Sequence, residues 1–256
     1  MPRDQAEAIV LRTFPLADQD KIVVFLTAER GVLRGVAKGA RKFANRFGSS
    51  LEPLSHVTVF FYEKERSDLV TINSCDLRES FFDVFSDPAA GFALSYMAEL
   101  SEEFVPVRAR ENLAFRLFLS ILRAVRDKVD VQILTRYFEA WLLRLNGILP
   151  DIRRCRLCRR AIEDPAPAWL SPRRDGVFCD ACAPSRKEEI RESLGRFLSW
   201  VRDNPPSACA SLPFSAGEIR SFAGALQAMI VFHLEREPKS RRWLQDENGL
   251  SGRKES

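Results

Sequence analysis

The chain has 256 residues, 46% of them apolar, a net charge of +4 at pH 7 and six cysteines. That is enough for one large or two modest domains with a sizeable core, and no apolar run approaches the roughly 20 residues that span a bilayer. The opening Met1-Pro2-Arg3-Asp4 carries no apolar signal segment, so the expectation is a soluble, cytoplasmic protein with reduced thiols rather than a disulfide-stapled one.

Over the first eighty residues the pattern is that of strands. Short β-prone runs fall at residues 8–11, 22–26, 32–37, 57–62 and 69–72, separated by turn or charged segments such as Ala17-Asp18-Gln19-Asp20 and Glu29-Arg30-Gly31. Five closely spaced strands predict a small barrel, with the OB-fold as the commonest five-stranded candidate. Phe60, Phe61 and Tyr62 are consecutive, so both sheet faces receive an aromatic and at least one ring belongs in the core.

The mild net charge conceals a local asymmetry. Between Arg30 and Leu51 stand six cations (Arg30, Arg34, Lys38, Arg41, Lys42, Arg46) and no acid. Glycines 31, 35 and 39 are interleaved with them; glycine lets backbone approach a ligand closely, and cations supply charge for phosphates. The segment is not a Walker A loop, because Lys38 and Lys42 lack the preceding Gly-x4-Gly and the following Ser/Thr. A solvated hairpin with a basic face is the plain alternative. An acid-free run on a predicted OB barrel favours a nucleic-acid surface, with Arg34, Lys38, Arg41, Lys42 and Arg46 as candidate phosphate contacts. Phe43 and Phe47 lie in the same stretch, as base-stacking platforms or as caps on the barrel core.

From Asp87 the period becomes helical. Asp87-Pro88 reads as an N-cap followed by proline at the first helical position. Phe115, Phe118, Leu122 and Val125 share one stripe, and Phe138, Trp141, Leu142 and Leu145 another. Asn146-Gly147 with Pro150 beyond is a stop signal. Ser185-Arg186-Lys187-Glu188 and Ser215-Ala216-Gly217-Glu218 read as capping boxes. The first would precede a helix burying Ile190, Leu194, Phe197, Leu198 and Val201; the second, one burying Ile219, Phe222, Leu226, Met229, Ile230 and Leu234. The polar tail after Gly249 is expected to be disordered.

Between these helices Cys155, Cys158, Cys179 and Cys182 form Cys-x2-Cys-x20-Cys-x2-Cys. Each Cys-x2-Cys lets one tight turn aim two thiolates at a point, and the intervening loop can bring both turns onto one tetrahedral ion. Zinc suits four thiolates, and four protein ligands leave no open position, so a single structural zinc is expected. Arg153, Arg154, Arg156, Arg159 and Arg160 surround the first pair; cations stabilise a negative thiolate centre, and a DNA contact by any of them is an open alternative. Cys75 and Cys209 stand alone and read as small buried side chains. The expected class is therefore α+β: residues 1–80 an OB-fold nucleic-acid-binding domain, and residues 81–256 a helical domain with a zinc ribbon inserted at about 150–185. The helical stretches before Pro150 and after Ser185 are expected to pack together.

Residues that carry enzymatic chemistry are not patterned. The two histidines, His56 and His233, lie near no triad or open metal-site pattern, and the ligase motif Lys-x-Asp-Gly is broken because Lys128-Val129-Asp130 is followed by Val131.

Taken together, the segments resemble the RecO family of bacterial recombination mediators. Residues 8–14 (AIVLRTF), 26–31 (LTAERG), 36–42 (VAKGARK) and 51–54 (LEPL) are similar to that family's opening. Tyr96, Glu99 and Leu100 are similar to the start of its helical domain. Residues 138–147 (FEAWLLRLNG) running into Cys155-Arg156-Leu157-Cys158 resemble its central signature, and Lys239-Ser240-Arg241-Arg242-Trp243-Leu244 its ending. The chain departs from the pattern where Arg159 replaces a glycine after the second cysteine, where Asp175-Gly176 replaces a double glycine, and where Ala17-Asp18-Gln19-Asp20 lacks a nearby tyrosine and glutamate; no metal ligand is lost. The resemblance implies a non-enzymatic protein of DNA repair and homologous recombination, cytoplasmic and nucleoid-associated. Its OB-fold would bind single- and double-stranded DNA and anneal complementary strands. It would also contact the C-terminal tail of single-stranded DNA-binding protein and the partner RecR, and help load recombinase onto coated DNA. From the residues alone, an RNA-binding module of translation or ribosome assembly is the alternative, and a zinc-containing nucleic-acid-processing enzyme a more distant one.

Overall fold

The computed structural model describes residues 3–63, 67–107, 112–162, 166–186, 189–190, 192–242 and 244. The chain forms two compact units, Met1–Lys128 with Lys239–Ser256, and Val129–Pro238.

The first unit is built on a closed barrel of β1 (Arg3–Leu16), β2 (Asp20–Thr27), β3 (Gly31–Ala37), β4 (His56–Tyr62) and β5 (Val70–Glu79), in the order β1-β2-β3-β5-β4. β1 to β3 form an antiparallel meander, β3 pairs with β5 in parallel, and β4 closes onto β1, the five-stranded Greek-key arrangement of an OB-fold. Alternation along the strands sends Ala8, Val10, Val23, Phe25, Leu33, Val57, Val59, Phe61, Val70 and Ile72 into the interior. Each fully buried ring or large aliphatic contributes on the order of 1.5–3 kcal/mol. Of the aromatic triplet, Phe61 is the core member, and Phe60 and Tyr62 are half-buried.

All five strands stand where the hydrophobic pattern places them, but β1 and β5 run further. β1 continues through Phe14 and Pro15, and a register shift between Val10 and Arg12 lets both Val10 and Leu11 be buried. Two of the three glycines meet demands of the barrel backbone. Gly31 has φ +59° at the turn into β3. At Gly35 a Cβ would lie 2.8 Å from carbons of both Val70 and Ile72, so only glycine lets β3 close against β5.

The same unit contains α1 (Pro88–Phe104) and α2 (Asn112–Arg126). Asp87 caps α1 by accepting from the Ala89 amide, with Pro88 at the first position as the sequence predicts. Phe115, Phe118, Leu122 and Val125 are buried along α2. On α1, Glu99 is 4% exposed; its carboxylate accepts from the amides of Lys239 (2.9 Å) and Ser240 (2.8 Å) and from the Ser240 hydroxyl at 2.5 Å. Burial pushes this acid's pKa up, but those donors and the nearby Arg12 charge outweigh it and hold it below the usual carboxylate value.

The second unit packs α3 (Val131–Leu145) with α4 (Glu192–Asp203) and α5 (Ala216–Leu234). The Tyr137 hydroxyl donates to the Asn204 carbonyl (2.7 Å) and the Trp141 indole to that of Val201 (3.2 Å), so Trp141 is only half-buried. Ser215 and Glu218 form the expected capping box, and Gly147, at φ +67°, follows the end of α3. The helices before Pro150 therefore divide. α3 packs with the later helices, while α1 and α2 belong to the barrel's unit; a helical stripe announces that it is buried, not what it is buried against.

One cap is corrected. Ser185 does not open a helix that buries Ile190. Lys187 and Glu188 lie outside the described residues, but Glu189–Ile190 is a strand, β8, and α4 begins at Glu192. β8 pairs with β6 (Ala168–Leu170), which also pairs with β7 (Val177–Cys179). Pairing the open edge of β6 satisfies backbone groups that a cap at Ser185 would leave unpaired. Leu194, Phe197, Leu198 and Val201 are buried on α4 as expected. The tail after Gly249 lies outside the described residues, as does Trp243. No helix among the described residues is long and apolar enough to cross a membrane.

Candidate functional site

The barrel's connection from β3 to β4 is pinned at both ends and exposed between. Ala40 and Phe47 are buried in the barrel core, at 6% and 4% exposure. The Gly39 amide donates to Asp20 (2.8 Å), the Arg41 amide to the Gln19 carbonyl (2.9 Å) and the Lys42 amide to the Gly39 carbonyl (3.1 Å). Asn45 ties the far side, accepting from the amides of Phe47 (3.0 Å) and Gly48 (3.1 Å) and donating to the Lys42 carbonyl (3.1 Å). Gln19, Asp20, Lys38, Gly39, Lys42, Ala44, Asn45 and Arg46 line an open hollow of about 420 Å³.

The six cations of this stretch separate into two groups once folded. Arg30 pairs with Asp4 and, at 2.8 Å, with Glu63; Arg34 pairs with Glu102 of α1 at 2.8 Å, an acid it shares with Arg12. The other four are exposed, and among the described residues none has a carboxylate partner. Arg41 donates to the Ala17 carbonyl (2.8 Å) and Arg46 to that of Asn73 (2.8 Å), bonds that orient a guanidinium without neutralising it. Arg46 also lies 4.8 Å over the Phe47 ring. The structure thus brings Lys38, Lys42 and Arg46 around one hollow, sets Arg41 beside it and leaves Arg34 in an ion pair. Phe47 is a core cap, whereas Phe43 projects fully from the loop. The acids that occupy Arg30 and Arg34 come from β1, from the end of β4 and from α1, so a local count of charges misses them. Asp20 and Asn45, which brace the loop, carried no chemical signal in the sequence beyond turn propensity.

In the second unit the four cysteine sulfurs lie within 4.8 Å of one another. Two tight turns place them: the Arg159 amide donates to the Cys155 carbonyl (2.9 Å), and the Cys182 amide to that of Cys179 (3.0 Å). The Arg156 amide, donating to the Val177 carbonyl at 2.8 Å, ties the first turn to β7. A tetrahedral zinc with bonds of about 2.3 Å to sulfur sets its ligands about 3.8 Å apart. Cys158 Sγ and Cys179 Sγ are 3.8 Å apart. The donor set and its spacing therefore fit a metal ion. Burial would raise the Cys155 thiol, but amides of Cys158, Cys179 and Leu157 point at its sulfur and lower its pKa, while hydrogen bonding to Cys179 and Cys158 raises that of Cys182, so the cluster shares its protons unequally.

Arg159 adopts φ +62°, the left-handed conformation glycine takes without strain. At Gly176 a Cβ would approach side-chain carbons of Arg156 to 3.1–3.4 Å, a tight contact that the exposed arginine side chain would have to relieve by shifting a few tenths of an ångström. Arg156 pairs with Asp175 (2.7 Å) and Arg153 with Asp151 (3.3 Å). Cys75 and Cys209 are buried and remote from this cluster in sequence, and burial pushes both thiols up to about 12. His56 is buried between Glu7 (2.7 Å) and Glu79 (3.8 Å), and its ring is 5.9 Å from that of Phe115 on α2.

A closed five-stranded OB barrel with a braced basic loop, joined in one chain to helices and a cluster of four cysteines, defines the class of fold. Two family models match consecutively: Recombination protein O N terminal over residues 1–81 and Recombination protein O C terminal over residues 86–242. The chain belongs to the RecO family. It is 32% identical to the DNA repair protein RecO of Desulforudis audaxviator over 94% of this chain and 95% of that one. It is 38% identical to that of Koribacter versatilis over 68% of this chain and 70% of the other, and 29% identical to that of Anaeromyxobacter dehalogenans strain 2CP-1 over 98% and 100%.

Proposed function

We propose that the chain is a non-catalytic mediator of DNA repair and homologous recombination that binds single- and double-stranded DNA through its barrel and anneals complementary strands. The observation that carries this reading is the group of uncompensated cations at the braced loop, on a chain whose relatives are named DNA repair proteins. Lys38, Arg41, Lys42 and Arg46 would contact phosphates, with Arg34 joining through the guanidinium donors that its pair with Glu102 leaves over. Annealing follows physically. Neutralising both backbones removes the repulsion between strands, while the bases stay free to pair.

The division of labour would be a barrel of residues 1–80 that binds DNA and a region of residues 81–256 that binds protein. Its partners would be the C-terminal tail of single-stranded DNA-binding protein and RecR, so that recombinase is loaded onto coated DNA. One zinc would be held by Cys155, Cys158, Cys179 and Cys182. With all four positions filled it would fix the ribbon and supply no reactive water. The protein would work in the cytoplasm, associated with the nucleoid.

The deciding experiment compares annealing of complementary DNA strands, naked and coated with single-stranded DNA-binding protein. The proposal expects acceleration on both. Acceleration of naked strands alone would leave a generic annealer and remove the mediator role. Preferential binding of RNA over DNA of one sequence would point instead to translation or ribosome assembly.

A further inference from the structure

We propose that Phe43 is a base-stacking residue that gives the basic loop its preference for an unpaired DNA strand over duplex; this rests on the nucleic-acid reading of that loop. The relative exposure of Phe43 is 107%, the highest among the large hydrophobic side chains of the described residues; Phe82 follows at 69%. A single exposed apolar residue is ordinary. The setting of Phe43 is not, on three counts.

First, the loop that carries it is braced on both sides. Ala40 and Phe47 are anchored in the core, the Gly39 amide is held by Asp20, and Asn45 bridges Lys42 to Phe47 and Gly48. The ring therefore stands at the crest of a fixed turn, and a partner stacking on it need not order the backbone first.

Second, its sequence neighbours on both sides are cations without a carboxylate partner among the described residues: Lys38, Arg41 and Lys42 before it and Arg46 after it. A docked apolar peptide would leave those charges unmatched, whereas a nucleotide supplies a π face for the ring and a phosphate for the charges. Third, the nearest other phenylalanine in the loop, Phe47, is turned inward and covered by Arg46, so the loop separates one ring for the core from one for solvent.

The chemistry selects the strand. In duplex DNA the base faces are already stacked and paired, so the loop meets phosphates and groove edges but no free base face. In a single strand a splayed base can meet Phe43 while Lys38, Lys42 and Arg46 hold the adjoining phosphates. Any base offers such a face, so the preference is for strandedness and not for sequence.

The test uses the full chain. Affinity for one oligonucleotide, single-stranded and as duplex, is measured for the natural protein, Phe43→Ala, Phe43→Leu and Phe43→Tyr, with Lys38→Ala/Lys42→Ala as the reference for the basic loop. A single strand carrying 2-aminopurine reports stacking directly through quenching of its fluorescence. Phe43→Ala and Phe43→Leu should lower the ratio of single-strand to duplex affinity by about tenfold, as expected for one lost base–aromatic stack, and relieve the quenching; Phe43→Tyr should retain both. Equal weakening of single strand and duplex by Phe43→Ala would overturn the proposal in favour of a loop-shaping role. If Lys38→Ala/Lys42→Ala weakens binding while every Phe43 variant behaves naturally, the basic loop stands and the stacking role falls. If neither set changes binding, both fall.

Discussion

Two arginine-rich stretches of this chain look alike on paper and differ once folded. Between Arg30 and Phe47 the acids that cations find are fetched from distant strands and α1: Asp4, Glu63 and Glu102 take Arg30 and Arg34, and four positive side chains stay unmatched on an exposed, braced loop. Around Cys155 the cations border a cluster of four sulfurs that becomes strongly negative when its thiols ionise, and Arg153 and Arg156 are tied to local aspartates. A run of positive charge marks a binding surface only after the charges it can satisfy internally have been subtracted, and that subtraction is tertiary.

The largest expected effect falls on the second stretch. Cys155→Ser or Cys182→Ser should remove the metal and unfold the ribbon, because structural zinc in small modules contributes roughly 10–16 kcal/mol of binding free energy. Metal analysis should give one zinc per natural chain and a loss in the variants, while amide exchange in β1 to β5 should stay unchanged. Collapse of the barrel's protection along with the ribbon would break the separation drawn here between the two regions.

Next in size is the contrast in DNA binding. Arg154→Ala/Arg160→Ala beside the cysteines should weaken DNA binding less than Arg41→Ala/Lys42→Ala on the barrel, and neither pair should shift stability by more than about 0.5 kcal/mol, since all four side chains are exposed. Equal losses at both pairs would mean a diffuse positive field with no distinct site.

Acid sharpens the comparison from the other side. The folded pKa of Glu99 lies below its ordinary 4.5, so its tie to Lys239 and Ser240 contributes stability that is present above about pH 4.5 and lost as pH falls through the folded value. Glu99→Gln should flatten that part of the stability profile of the first unit. The metal cluster should respond at higher pH, as protons compete with the ion for thiolates. The smallest effect is expected at Arg159, whose φ of +62° strains a non-glycine residue. Arg159→Gly should stabilise the first cysteine turn by up to about 1 kcal/mol, measurable as tighter zinc retention against a chelator.

Much of this architecture could be read from the chain before it was seen folded. Strand alternation in residues 8–72 located all five barrel strands, Asp87-Pro88 and Ser215-Ala216-Gly217-Glu218 marked two helix starts, and cysteine spacing brought four sulfurs together. These are local signals with local causes. What stayed hidden was set by distant partners. Ser185 has the form of a cap, yet the open edge of β6 draws Glu189–Ile190 into a strand. Periodicity marked the buried faces of α2 and α3 without telling that they belong to different units. The basic segment was visible, but Glu102 on Arg34 and the divergent fates of Phe43 and Phe47 depend on where the β3–β4 connection meets the barrel.

The DNA-binding proposal rests on phosphate contacts by the four uncompensated cations of the β3–β4 loop. Its most direct test is the dependence of log affinity on log salt for the natural chain and for single alanine variants of Lys38, Arg41, Lys42 and Arg46 with a single-stranded oligonucleotide. Each variant that removes a phosphate contact should reduce the magnitude of the slope by about 0.7, with Arg34→Ala giving a smaller change because Glu102 already holds its charge. Four slopes indistinguishable from that of the natural chain would place the DNA contact elsewhere and overturn the proposed role of this loop.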